Sequence, residues 1–199
     1  MSGTIPVPEQ YMPIWEQAAA LLASGRSEDH QHAQDTVEMI LDYEGDIAID
    51  EDILIPVAIM HDIGHSAILP EHYRHITGPE KLINGKLVHM LAGAKIARDI
   101  LNAVGYDKAK SEEIVDIISV HDADALKDVD LKVFYDTENK KIFHDFDRMD
   151  AFTEKRLEKL RSRYPDLSVL KASLERSLGT FFFDEFRQVA EERFQKLFQ

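Results

Sequence analysis

The nine histidines of this chain all lie between His30 and His144, and the C-terminal stretch beyond holds none. Imidazole titrates near neutrality and is the commonest nitrogen ligand for transition metals, so a distribution this one-sided asks for a chemical reason. Its densest point is "AIMHDIGHSA", residues 58–67, where His61, Asp62 and His65 fall within five positions at the end of the apolar run "ILIPVAIM". Imidazoles next to a carboxylate form a mixed nitrogen and oxygen donor set, suited to a divalent ion. Further carboxylates come late, in "HDFDRMDAF", which offers Asp145, Asp147 and Asp150.

Four of the histidines fall in line with apolar residues at helical spacing. His32 aligns with Thr36, Met39, Ile40 and Tyr43; His61 follows Leu54, Val57 and Ala58. His89 shares a side with Leu82, Gly93, Ile96 and Ile100, and His121 follows Ile114, Ile117 and Ile118. Offsets of 3, 4, 7, 8 and 11 place residues on one helical face. A single such histidine reads as a hydrogen-bonded core residue. Four on four helices are costly to bury with four unrelated partners, and convergence on metal satisfies them together.

The elements that must carry these residues are helical. "PEQYMPIWEQAAALLASG" predicts a first helix closed by Gly25, and "SEDHQHAQDTVEMILDYEG" a second between Ser27 as N-cap and Gly45 as stop. A third is expected over about 51–62, with a kink or late start at Pro56. Residues 66–80 read as a loop, 80–104 as a long helix, and "SEEIVDIISVHDA" as a helix capped by Ser111. "LKVFYDTENKKIFHD" mixes β-branched and aromatic residues around a polar centre, which leaves room for one short β-hairpin near 132–144. From about 146 the pattern is helical again, broken at Pro165, and the phenylalanine-rich tail is expected to be core. Strands do not alternate with helices, so the expected fold is an all-α bundle of about seven to eight helices. With no internal repeat or linker, the 199 residues read as a single domain, with a motif-bearing core over about 28–155 and C-terminal helices over 156–199.

"HDIGH", preceded by a helix bearing His32 and followed by "DFDRMDA", resembles the HD superfamily of metal-dependent phosphohydrolases. The family order is His, then His-Asp, then a distant Asp, which maps to His32, His61-Asp62 and Asp147. His30 competes for the first place and Asp145 for the last, where the D-x-D-R setting favours Asp147. Members that hold two metals carry two more histidines between the pair and the last Asp. "HMLAGAKIARDIL" and "IVDIISVHD" look like those helices, giving His89 and His121. Successive histidines of the set are spaced by similar intervals, each the length of one helix and a loop. The extended GYP signature of the cyclic-dinucleotide phosphodiesterases is not seen.

The resemblance implies two divalent ions, held by His32, His61, Asp62, His89, His121 and Asp147. Mixed donors without cysteine point to iron or manganese, with zinc, nickel or cobalt as further options. A hydroxide shared by two such ions attacks phosphorus in line. Asp62 and His65 are the residues expected at the catalytic centre. His65 also stands where relatives contact phosphate, so it joins His72 and Arg74 as a candidate for substrate binding. These two lie in "EHYRHITGPEKLINGK", a locally basic loop that also carries His75, Lys81 and Lys86. The expected substrate is a small phosphate ester or nucleotide. The same ligand list also serves oxygenases resembling myo-inositol oxygenase, where a mixed-valent di-iron pair activates oxygen, and a metal-stabilised binding domain without turnover.

Bulk properties narrow the partners. The formal net charge of -14 repels nucleic-acid polymers and anionic membranes. No apolar run approaches the roughly 20 residues that span a bilayer, and the N-terminus lacks the basic start of a signal peptide. Absence of cysteine excludes disulfide and thiolate chemistry. A cytoplasmic location is expected.

Overall fold

The computed structural model describes residues 5–76, 83–163 and 166–198. Every regular element among the described residues is helical, as the periodicity predicts. A 3-10 turn (Glu9–Tyr11) leads into α1 (Met12–Ser24), followed by α2 (Asp29–Leu41) and α3 (Glu51–Met60). The 3-10 turns Ile63–Ala67 and Pro70–His72 lead to α4 (Tyr73–Ile76) and the long α5 (Gly85–Val104). Then come α6 (Lys108–Val120), a 3-10 turn at Ala123–Ala125, α7 (Leu131–Phe134) and α8 (Glu138–Met149). A last 3-10 turn (Asp150–Phe152) precedes α9 (Glu154–Arg163), α10 (Leu167–Leu178) and α11 (Asp184–Leu197). Nine of these helices, among the described residues, have ten or more residues, close to the seven or eight expected. The break expected at Pro165 lies outside the described residues.

The β-hairpin expected near 132–144 is absent, because that stretch forms α7 and the start of α8. Local capping decides it. The Asp130 carboxylate accepts the Lys132 N–H at 3.0 Å and starts α7. The Thr137 hydroxyl accepts the Lys140 N–H at 3.3 Å and starts α8. Ile142, Phe143, Phe146 and Met149 then form a buried stripe at helical spacing, which outweighs the β-propensity of "VFY". Two expected caps also differ. Helix α2 begins at Asp29 rather than after Ser27, and α6 is capped by Asp107, which accepts the Lys110 N–H at 2.9 Å. Ser111 lies inside α6 and donates to the Asp107 carbonyl at 2.7 Å.

Helix α3 runs on through Pro56. Proline has no N–H for the carbonyl four residues earlier, which belongs to Asp52. The Tyr106 hydroxyl donates to that carbonyl at 2.7 Å, so the missing helical bond is replaced from outside the helix. The C-cap Gly105 has a left-handed backbone and turns the chain out of α5 immediately before Tyr106.

The chain divides into two units, Met1–Lys140 and Lys141–Gln199. In the first, Ile53–Met60 of α3 are all buried, the mark of a central helix that is apolar all round. It packs against α1, α2 and α6, while α5 packs on α6 and on the 3-10 turn Ile63–Ala67. That last contact depends on Gly64. A Cβ there would lie 1.9 Å from the His89 carbonyl oxygen and 2.5 Å from the Gly93 nitrogen. Only glycine lets the two backbones approach so closely. In the second unit, Phe181, Phe186 and Phe194 of the aromatic tail are buried, and Phe146 packs edge-on to Phe186 at 4.8 Å. No helix among the described residues is long and apolar enough to cross a membrane.

Candidate metal centre

Three helices of the first unit deliver histidines in the same way. His61 directly follows α3, and its Nδ1 lies 3.0 Å from the Ala58 carbonyl oxygen. His121 directly follows α6, with Nδ1 2.8 Å from the Ile118 oxygen. His89 sits inside α5, with Nδ1 3.3 Å from the Gly85 oxygen. A carbonyl can only accept, so these contacts assign the ring proton to Nδ1. The helix carbonyls thus fix each ring and leave Nε2 with its lone pair outward, the tautomer in which imidazole binds metal.

These Nε2 atoms converge on Asp62. They lie 3.6 Å (His61), 3.7 Å (His89) and 3.9 Å (His121) from its carboxylate oxygens, and His65 Nε2 lies 3.4 Å away. His89 Nε2 and His121 Nε2 are 3.1 Å apart. Two ring nitrogens at that distance either share a proton or face a common cation. The His32 and His61 rings meet edge to face at 5.0 Å, and His65 stacks on His89 at 4.2 Å. Three sets therefore have ligand atoms within 4.8 Å of one another: His32, His61 and Asp62; Asp62, His89 and His121; and Asp29, Asp62 and His65. Asp62 belongs to all three.

Charge is arranged around this carboxylate. Burial pushes the Asp62 carboxyl upward, but His61 and Arg26 beside it outweigh this and hold the group well below the ordinary range. Asp29 goes the other way: burial and the nearby Asp62 charge raise it, against the pull of Arg26. His89 is lowered, mainly by burial, which favours the neutral, ligand-ready ring. Arg26 pairs with both Asp29 (2.7 Å) and Asp62. On the other side Lys86 pairs with Asp122, whose carboxylate lies 3.2 Å from His89 Nε2. Burial would raise Asp122, yet His89, His121 and Lys86 hold it well below the usual carboxylate range.

The remaining sequence candidates are placed as follows. His30 is edge-on to Trp15 at 5.0 Å, while His32 faces the cluster. His72 is exposed, and its Nδ1 accepts the Leu69 N–H at 3.2 Å, closing a local turn. The Arg74 side chain and Lys81 lie outside the described residues. Asp145 and Asp147 belong to the second unit, whereas the three sets are formed wholly within the first. Asp145 is fully buried and accepts the N–H groups of Phe182 at 3.0 Å and Phe183 at 2.9 Å, which makes it a structural anchor. Asp147 is half-buried on α8.

Sequence reading does not single out Asp29, Arg26 or Asp122. Asp29 precedes His32 by three residues, one helical turn earlier on the same face. Asp122 follows His121 just as Asp62 follows His61, a repeated dipeptide at a helix end. Arg26 follows the Gly25 stop and has no signal of its own.

Fold and site together define an all-helical protein with a buried histidine and aspartate cluster able to hold metal, compatible with a site of the HD type. No family model matches the chain, and no curated protein or solved structure is significantly similar to it.

Proposed function

We propose that this protein is a metal-dependent phosphohydrolase of the HD type, acting on a small phosphate ester or nucleotide. The observation that carries the reading is the convergence of three lone-pair Nε2 atoms on the single carboxylate of Asp62. Two divalent ions are proposed: His32 and His61 would hold one, His89 and His121 the other, and Asp62, common to both sets, would contribute to each. The donor chemistry fits iron or manganese. Such ions supply water activation and stabilise charge on a transferring phosphoryl group.

The chain's own residues supply the rest. Arg26 and Lys86 are cations at the two flanks of the cluster, with side chains 33% and 43% exposed. Each would meet a phosphate oxygen at the rim, the charge complement that an anionic substrate needs in a chain of net charge -14. His65 is stacked on His89, which fixes its ring, and its Nε2 faces Asp62. At Nε2 it would hold a proton or hydrogen-bond a phosphate oxygen.

The test sets phosphate release from a panel of nucleotides and sugar phosphates with added Mn beside oxygen consumption with added Fe. Mn-dependent phosphate release that is lost in His61→Ala is the expected result. Oxygen uptake without phosphate release would replace the hydrolase by an oxygenase, and neither activity would leave a binding domain.

A further inference from the structure

The chain contains a second His-Asp dipeptide, and the structure builds it like the first. His61-Asp62 directly follows α3, and His121-Asp122 directly follows α6, a helix packed against α3. Both histidines have helical backbone angles, and each Nδ1 bonds the carbonyl three residues earlier. Both aspartates sit at the step into a 3-10 turn, with closely similar backbone angles. Asp122 Oδ2 lies 3.2 Å from His89 Nε2 and 3.9 Å from His121 Nε2. Asp122 Oδ2, His89 Nε2 and His121 Nε2 thus face one another in a mostly buried pocket. A divalent cation among them would pair with two imidazole nitrogens and a carboxylate at once, a donor set suited to such an ion. The Lys86 ammonium meets Asp122 from one side, with its side chain 43% exposed, and does not separate the two buried nitrogens that lie 3.1 Å apart.

We infer that Asp122 is a further metal ligand, completing with His89, His121 and Asp62 the donor set of the second ion. The inference rests on the two-ion reading above. Asp122 cannot act by orienting a ring proton, because the Nδ1 protons of both histidines are already taken by main-chain carbonyls. Its carboxylate faces the metal-binding nitrogens themselves. The second ion would then carry two carboxylates, Asp62 and Asp122, with Lys86 paired to Asp122 and Arg26 to Asp62.

Titration calorimetry with Mn, on the chelator-stripped full chain, tests this. Wild type should take up two ions. Asp122→Asn should weaken one of them at least tenfold and leave the other within about twofold. In a His89→Ala background, Asp122→Asn should change the remaining ion little. The double variant Lys86→Met with Asp122→Asn removes the ion pair without stranding a buried charge, and so guards against misfolding. It should remain at least tenfold weak. Wild-type affinity in that double variant would mean Asp122 serves only to neutralise Lys86, and would overturn the inference. Two ions bound with unchanged affinity by Asp122→Asn would also overturn it while leaving the two-ion reading standing. A wild-type chain that binds one ion or none would overturn both.

Discussion

Asp62 is the residue on which the cluster turns. Its carboxylate is buried, shared by every ligand set, and kept ionised by the cations and imidazoles around it. On the proposed two-ion reading, removing its charge should cost both ions, whereas removing one histidine should cost one. Calorimetry with Mn should show Asp62→Asn weakened at both sites by about tenfold or more, and His89→Ala or His121→Ala weakened at one. Equal losses in all three variants would mean that a single ion uses the whole set. His65 differs from the other histidines in Nε2 position and in its stacking on His89. His65→Ala should keep metal content and lower phosphate release.

At the scale of elements, two contacts decide whether the helices hold the cluster. Gly64 lets the turn after the His-Asp pair press on α5 beside His89, and a methyl group there meets main-chain atoms rather than a flexible side chain. Gly64→Ala should destabilise the fold by about 3 kcal/mol or more, read by urea denaturation, and weaken Mn binding because Asp62 and His89 part. The second contact is Tyr106 on the carbonyl that Pro56 leaves unpaired. Tyr106→Phe should cost about 1–3 kcal/mol in the wild type. The cost should shrink in Pro56→Ala, where alanine restores an N–H to the same carbonyl, and a double-mutant cycle measures the difference. The Tyr106 hydroxyl is pushed up to about 12 by burial and by Asp52, Asp50 and Asp107. A raised value means the folded state prefers the neutral phenol. That stabilisation is complete below the ordinary value of about 10 and is lost as pH rises toward 12. Alkaline unfolding between those limits should be shallower in Tyr106→Phe.

For the whole molecule, an acidic chain with a buried donor set should be stabilised by divalent cations. If the folded state binds Mn and the unfolded state does not, Mn at a hundred times Kd should add about 2.7 kcal/mol. Thermal unfolding with Mn and with chelator checks this, and an unchanged Tm would argue against metal in the folded chain. The charge of -14 also predicts no retention on DNA or RNA at low salt, measured by gel shift.

Helical periodicity and the order of the histidines are legible in the sequence because both are local. Apolar residues at 3, 4 and 7 place His32, His61, His89 and His121 on inward faces before any packing is known, and net charge and cysteine content follow by counting. Where the sequence misleads, local signals compete. "VFY" suggests strand while Asp130 and Thr137 cap helices, and the N-cap positions expected at Ser27 and Ser111 fall at Glu28 and Asp107 instead. What only the tertiary structure decided is which groups meet. Arg26 pairs with Asp62 and Lys86 with Asp122 across long separations in sequence, and no pattern at helical spacing encodes either pair. Nor does periodicity encode the Tyr106 hydroxyl found by the Asp52 carbonyl or the backbone approach that Gly64 permits. These depend on how helices stack, and stacking is set by volumes and close contacts across the core rather than by neighbours along the chain.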